Sequence, residues 1–241
     1  MKKFIVDDAF LNLFPDAAIG VLAVRNMRES AALDEAQAAE VKALLDGANC
    51  AARKYLTSDT ISENHAVAVW RQAYQKFPTK KGARCSIEAL LKRVLLQKPV
   101  GTIAPSVDIT NAVSLKYALP IGAEDLDAFA GDLHLGVMAG GEDFTPIGAD
   151  KPEPPLAGEV AYYDGAGVVC RCWNWRDGQR TCVQESTTSE FIAMECVEPE
   201  RVDELRAAID ELAALLQKYL GAEITAKAIA GRACREIVIQ E

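Results

Sequence analysis

The chain has 241 residues and a formal net charge of −9; 50% of its residues are apolar and 25% are charged. This balance is typical of an ordinary soluble globular protein, and the length suffices for one large core or two small ones. The acidic charge argues against a general RNA binder, which usually carries a basic excess. No apolar run approaches the length of a membrane span, and Asp7 and Asp8 interrupt the short apolar run after Met1-Lys2-Lys3. We therefore predict no signal peptide, no membrane contact and a cytosolic location.

The N-terminal part, residues 1–60, is expected to form an α/β layer within a single domain that spans residues 1–241. Short apolar runs of strand length alternate here with helical patterns. The second helix should begin at a capping box, in which Thr60 is followed three residues later by Glu63. The predicted elements are strands over 4–6 and 18–24, and helices over 33–55 and 60–77.

A basic segment comes next. Between residues 71 and 98 the chain carries eight Lys or Arg residues against one Glu. A helix over 86–95 turns an apolar stripe inward and leaves Lys92 and Arg93 on its flank. A local nucleic-acid-binding face and an ordinary solvated helix surface both fit this pattern.

The strongest functional signal lies in residues 101–127. Asp108 stands where an N-cap residue is wanted, so we predict a helix that begins at Ile109 and carries Asn111 in its first turn. Pro120 should end this helix, and the residues after it should form a tight connection. Free N–H groups at such a helix start can hold an anionic or carbonyl oxygen, although a capping aspartate is usually structural.

Strand-like segments dominate the chain from there to residue 197. Asp177-Gly178 predicts a hairpin turn between two of them. A helix should follow Pro199 and end at Gly221, and a last strand is expected over 235–239. Because strands outnumber simple βαβ alternation, we predict an α/β (α+β) fold with a mixed β-sheet core and helices packed on it. The other predicted strands span 132–138, 144–147, 158–163, 167–175, 180–184 and 190–197.

Seven cysteines without an export signal indicate reduced thiols, with small buried side chains as the ordinary interpretation. Cys170 and Cys172 should point the same way along a strand, and with Cys182 and Cys196 they are the candidates for a zinc site. However, no Cys-x-x-Cys pair exists and both histidines lie far away in sequence. We expect no metal and no cofactor.

Glu195 interrupts an apolar segment that is predicted to be a buried strand. A carboxylate in such a place must find hydrogen-bond donors or become protonated, and such groups are enriched in functional sites. Glu195 is therefore either a ligand-recognition residue or the ion-pair partner of an arginine such as Arg171 or Arg176.

A third candidate is the segment 171–176, which reads RCWNWR. Alternation along a strand would put Arg171 and Trp173 on one face and Asn174 and Arg176 on the other. Together with Arg180, these side chains suit stacking on a base and contact with phosphate, or equally a structural cation–π lattice on a sheet.

Four ordered blocks resemble one family. SVDITNAV over 106–113 and LPIGAED over 119–125 are similar to the Val-Asp-Ile-Thr-Asn and Gln-Pro-Met-His-Ala-Phe-Asp runs of the editing domain in the bacterial phenylalanyl-tRNA synthetase beta chain. Free-standing relatives of that domain carry a Ser-x-Glu-Ala-Leu-Leu-x-Arg helix and a Trp-Asn-Trp-Arg segment, matched here by 86–93 and 173–176. We interpret residues 61–241 as the region that resembles the editing domain.

The resemblance implies hydrolysis, in trans, of the ester between a wrong amino acid and the terminal adenosine of tRNA. Asn111 and backbone groups near Gly122 would hold the ester or its water, and Glu195 would read the amino acid. An aminoacyl ester is labile, so positioning can suffice without a nucleophile signature. Gly122 stands where the synthetase pattern has histidine, which puts the substrate or the activity in question.

The expected partners are therefore the aminoacylated 3′ end of tRNA and its amino acid. A non-catalytic module that binds an amino acid, an RNA end or a protein on the same fold is the alternative. A redox or metal protein built on the cysteines ranks last. The candidate residues are Asn111 and Gly122 for catalysis, Asp108, Glu195, Trp173, Asn174 and Arg171 for substrate binding, and Lys92, Arg93, Arg176 and Arg180 for tRNA binding.

Overall fold

Two β-sheets form the framework of the computed structural model, which describes residues 1–28 and 33–241. One sheet has six strands and the other has four, and a hydrophobic core drawn from strands of both sheets joins them. The strands are β1 Lys2–Val6, β2 Ala18–Arg25, β3 Ile121–Asp125, β4 Leu133–Val137, β5 Val160–Asp164, β6 Gly167–Arg171, β7 Arg176–Asp177, β8 Glu190–Cys196, β9 Glu223–Ala230 and β10 Glu236–Gln240.

The six-stranded sheet has the order β10-β1-β4-β5-β6-β7, and the four-stranded sheet has the order β3-β8-β2-β9. β1 and β4 are parallel, whereas the other neighbours are antiparallel. Both N-terminal strands are interior strands: β1 lies between β10 and β4, and β2 lies between β8 and β9. The mixed sheet that the sequence predicts is confirmed, as two sheets.

The described residues form six α-helices, which cover the sheets: α1 Asp8–Leu13, α2 Glu35–Ala51, α3 His65–Ala73, α4 Ser86–Leu95, α5 Pro105–Tyr117 and α6 Val202–Leu220. α5 and α6 contribute to a second core on the outer face of the four-stranded sheet. α6 packs tightly on β2, because a Cβ added at Gly20 would collide with Ile209. α6 ends at Gly221, which adopts φ +65° as predicted.

Several predicted boundaries are wrong. α5 begins at Pro105, so Asp108 lies inside its first turn and is not the N-cap; its Oδ1 instead accepts from the Ile103 N–H at 2.8 Å. The connection after Pro120 is strand β3, which pairs with β8. Thr60 makes no side-chain cap, and the predicted helix 60–77 is divided into two 3₁₀ turns with α3 between them.

Other strand predictions fail where tertiary pairing decides the outcome. Residues 144–147 and 180–184 contribute only isolated bridges. β9, which the sequence did not predict, is a half-exposed edge strand rich in alanine, so its composition favours a helix while pairing with β2 makes it a strand.

The turn between β6 and β7 is formed by residues 172–175 and not by Asp177-Gly178. Cys172 and Trp173 have φ values of +48° and +65°, a conformation that bulky residues rarely adopt. The strand alternation predicted for 171–176 is therefore wrong, and Cys170 and Cys172 do not share a strand face.

Candidate functional site

A pocket lies between the two sheets. Its wall is built from β3 and β8 on one side, from β4, β5, β6 and β7 on the other, and from the start of α4 and the turn 172–175. It offers about 80 Å³ to the centres of water molecules. A single water needs roughly 10–15 Å³ on this measure, so several waters or one amino acid side chain fit.

The floor of the pocket is set by the pairing of β3 with β8. Gly122 lies opposite Ala193 and Glu124 lies opposite Phe191. Alternation along each strand turns these residues and Glu195 to the same face. A Cβ placed on Gly122 would have no atom within 4 Å, so the absence of a side chain at this position leaves the floor open.

Among the three acidic residues that line the pocket, Glu195 is the least exposed, with 1% of the residue accessible. Its Oε1 accepts from the Tyr162 hydroxyl at 2.8 Å, whereas Oε2 has no hydrogen-bond partner in the described part of the chain. Burial raises the pKa of Glu195 to about 8. Neither Arg171 nor Arg176 forms an ion pair with it, so the ion-pair alternative is wrong.

The turn 172–175 brings Asn174 to the pocket. The Tyr74 hydroxyl lies 2.7 Å from the Cys172 carbonyl and 2.9 Å from Asn174 Oδ1, and its single proton is shared between these two acceptors, which holds the left-handed backbone in place. Asn174 Nδ2 is buried without a partner of normal geometry among the described residues, although the amide lies near enough to Glu195 to favour its charged form.

Trp173 lines the pocket but is fully buried. Its ring lies 4.9 Å from Phe10, 4.6 Å from Phe14 and 5.0 Å from Trp70, measured between centroids. The ring is therefore part of an aromatic cluster in the core, and it is not exposed for stacking on a base. The burial of Trp173 agrees better with a structural role for the segment 171–176 than with contact to a base.

Sequence reasoning missed Glu124. It is 6% exposed, burial raises its pKa well above the usual value, and its Oε2 has no hydrogen-bond partner in the residues that the structure describes. Ser86 Oγ, at the start of α4, is also buried and unpaired there. The sequence offered one signal for Glu124, which is its position two residues after Gly122. That spacing places the two residues on one face only if 121–125 is a strand, which the sequence did not predict.

Arg171 does not line the pocket. Its guanidinium donates to both carboxylate oxygens of Glu159, from Nε at 2.9 Å and from Nη2 at 2.5 Å, and to the Glu153 carbonyl at 2.7 Å. Both side chains of the pair are almost completely buried. The arrangement makes Arg171 a structural residue that anchors the base of the turn.

Asp108 and Asn111 also lie outside the pocket lining. Burial raises the pKa of Asp108, while the backbone N–H groups of Ile103 and Ala104 oppose that effect. Asn111 is half-buried on α5. The structure therefore separates these two residues from Gly122 and Glu195, with which the sequence analysis had grouped them.

The basic residues predicted to bind tRNA differ in availability. Lys92 and Arg93 are exposed on α4, and neither has an ion-pair partner within residues 1–28 and 33–241. Arg176 is exposed, with its guanidinium carbon 5.7 Å from the centre of the Trp175 ring. Arg180, in contrast, pairs with Asp164 at 2.7 Å and 2.9 Å.

The described residues contain no group of three His, Cys, Asp or Glu side chains arranged to hold a metal ion. In the same residues, no helix is both long and apolar enough to cross a bilayer.

Fold and pocket define an α+β domain in which a small pocket lies between two sheets. The chain belongs to the B3/4 domain family, whose model matches residues 69–221, more than half of its length. Every residue that lines the pocket lies in that span. The resemblance to the synthetase editing domain that the sequence predicts is confirmed at this level.

Among solved structures, the chain is similar to an N-terminal fragment of the phenylalanyl-tRNA synthetase beta-subunit from Pyrococcus horikoshii, with 14% identity and a TM-score of 0.47. The match covers 92% of this chain and 49% of that one, so the chain spans about half the length of the fragment. No curated protein matches the sequence.

Proposed function

We propose that the protein is a trans-acting editing hydrolase that deacylates mischarged tRNA, with the wrong amino acid held in the pocket between the sheets. The observation that carries this proposal is the set of buried, unpartnered polar atoms that line the pocket: Glu195 Oε2, Glu124 Oε2, Asn174 Nδ2 and Ser86 Oγ. Buried polar groups are normally hydrogen-bonded, so a convergent set of such atoms around a cavity suits a ligand that supplies hydrogen bonds to them.

The roles follow from position. Glu195 and Asn174 read the end of the amino acid side chain, because each has a buried polar atom without a described partner at the lining of the pocket. Gly122 keeps the floor open for that side chain. Hydrolysis then depends on positioning the ester and a water molecule at the mouth of the pocket. Positioning can suffice because an aminoacyl ester is labile, and no histidine of the described residues lines the pocket to act as a base.

α4 links the pocket to a surface for the tRNA. The helix starts with Ser86 in the pocket wall and carries exposed Lys92 and Arg93 further along. At 1.5 Å per residue, Lys92 lies about 9 Å along the axis from Ser86. The 3′ end of a tRNA that entered the pocket would therefore pass close to these cations. Such a protein would act in the cytoplasm, where charged tRNA is used.

A non-catalytic binding module is the second candidate, and one feature of the lining supports it. Gly122 replaces the histidine of the synthetase pattern, and neither His65 nor His134 lines the pocket. Such a module would bind the same ligand but would release no amino acid. Turnover separates the two functions.

The test is release of labelled amino acid from a panel of mischarged tRNAs by the native chain. We expect turnover on at least one member, and loss of most of it in Glu195→Gln. Glu190→Gln is the matched control, because it removes a second buried carboxyl group from β8, one that does not line the pocket. Asn111→Ala tests in the same assay whether Asn111 takes part in catalysis from outside the lining.

No turnover on any member of the panel, with native folding confirmed by circular dichroism, would contradict the hydrolase and leave the binding module. Equal loss in Glu190→Gln and Glu195→Gln would show that the effect is structural and that the pocket is not the site.

A further inference from the structure

The pocket lining contains acidic side chains and, among the described residues, no basic ones. Three carboxyl groups line it, those of Glu124, Asp177 and Glu195, and no Lys, Arg or His among the described residues does so. Two of the three have a buried oxygen that no described residue satisfies. A cavity that contains carboxyl groups and no basic side chain can pair with a ligand of positive charge, which favours the ionised form of a carboxyl group that it contacts.

The walls between the carboxyl groups are aromatic and apolar. Trp175, Tyr162 and Phe191 line the pocket together with Trp173. Aromatic faces next to carboxylates are the usual surroundings of an organic ammonium group. The same carboxyl groups do not form a metal site, since no three potential ligands in the described chain are close enough together.

We infer that the pocket takes the ammonium group of a basic amino acid side chain, of the lysine or ornithine type. This inference rests on the proposed function in one respect, that the pocket holds the amino acid. Glu195 would meet the ammonium at the deep end. The unbranched methylene chain would lie along the aromatic wall, in a space that admits several waters.

Binding of this group is coupled to the ionisation of Glu195. Burial raises the pKa of Glu195 to about 8, so at neutral pH the empty pocket holds mainly the neutral acid. An ammonium in contact favours the carboxylate, so the acid loses its proton to solvent as the ligand binds. Affinity should therefore rise with pH up to about 8, by at most tenfold per pH unit for one released proton.

None of the groups that face Glu195 can supply the positive charge in place of a ligand. The side chains that interact with it are neutral or acidic: Tyr74, Cys85, Tyr162, Cys170, Asn174 and Asp177. Its neighbours across the sheet, Ile19 on β2 and Pro120 before β3, and its chain neighbour Met194 carry no charge, and Glu124 on β3 is acidic.

The experiment is calorimetric titration of the full chain with three free amino acids of equal chain length: L-lysine, L-norleucine and 6-hydroxy-L-norleucine. All three share the α-ammonium and α-carboxylate groups, so differences report the end of the side chain. Titrations at pH 6, 7 and 8, each in two buffers of different ionisation enthalpy, count the protons released. We expect lysine to bind at least tenfold tighter than norleucine, with a gap that widens as pH rises.

Glu195→Gln should abolish this preference and its pH dependence, while Glu190→Gln should keep both. Equal affinity of the three amino acids, preference for the hydroxyl analogue, or no binding of any of them overturns the inference. The two proposals fail separately. If the protein hydrolyses an ester whose amino acid has an uncharged side chain and shows no preference for lysine, the hydrolase proposal stands and the ammonium site is refuted. If it prefers lysine but hydrolyses no ester, the ammonium site stands and the hydrolase is refuted.

Discussion

Glu159 and Glu195 are both buried glutamates, yet their surroundings differ. Glu159 accepts two hydrogen bonds from Arg171 and others from the backbone N–H groups of Leu156 and Cys172. Burial alone would raise its pKa, but these bonds outweigh burial and hold the pKa below its usual value. Glu195 has one hydrogen bond, from Tyr162, and there burial dominates.

The difference teaches how to separate a structural carboxylate from one that waits for a ligand. A buried charge whose oxygens are all satisfied by the protein has nothing left to offer a ligand. A buried carboxyl with a free oxygen facing a cavity stays neutral by holding a proton, and it can still pair with a ligand that enters the cavity.

The largest effect on stability is expected when Glu159 loses its partner Arg171. Arg171→Met would leave Glu159 buried without its partner, so the free energy of unfolding should fall by about 3–5 kcal/mol, measured by urea denaturation. The double variant Arg171→Met with Glu159→Leu should regain a large part of this loss, because no uncompensated charge remains. A loss below about 1 kcal/mol in the single variant would contradict the structural role.

The second effect is the pH dependence of stability. Burial raises the pKa of Glu195 in the folded state from 4.5 to about 8, so the folded protein holds a proton that the unfolded chain releases. Stability should therefore fall as pH rises between about 4.5 and 8, by roughly 1 kcal/mol per pH unit for each such carboxyl.

Glu195→Gln should remove its share of that slope. Glu190 supplies a control, because burial raises its pKa to about 7. Its contribution to the pH dependence of stability should therefore disappear above about pH 7, one unit below that of Glu195. Glu124 adds to the slope in both variants alike. The hypothesis fails if Glu195→Gln and the native chain have the same slope between pH 7 and 8 in chemical denaturation.

The third effect compares two glycines. Gly122→Ala meets no atom within 4 Å, so its stability should change by less than about 1 kcal/mol while the affinity for the amino acid falls about tenfold. Gly136→Ala, on β4, would drive a Cβ into Asp7 and should be destabilised without any specific effect on the pocket. Unchanged binding by Gly122→Ala would remove this residue from the site.

The smallest effect on stability is expected at the tRNA surface. Lys92→Glu with Arg93→Glu changes exposed, unpaired cations, so unfolding should shift by less than about 0.5 kcal/mol. Affinity for tRNA should fall, and the slope of log K against log salt should decrease by about 1 for each phosphate that the variant no longer neutralises. The same double reversal at exposed Arg53 and Lys54, which follow α2 and have no ion-pair partner among the described residues, is the control. Equal effects at both places would refute a specific surface on α4.

Elements with strong local patterns were predicted from the sequence alone. The apolar stripe of α4, the proline and glycine that bound α6, and the apolar runs of β2 and β8 all specify structure within a few turns or residues. The family resemblance was visible for the same reason, because its motifs are short and ordered. Glu195 stood out since a carboxylate interrupts an apolar strand.

The sequence by itself thus determined the class of fold, the family and four residues that line the pocket: Gly122, Trp173, Asn174 and Glu195. Only the tertiary structure decided that Arg171 pairs with Glu159, that β3 brings Gly122 and Glu124 to the face of Glu195, and that Asn111 stays outside the lining. The physical reason is that an ion pair or a cavity is set by strand order and register between residues far apart in the chain. A local pattern shows that a carboxyl is buried, but not which atoms surround it.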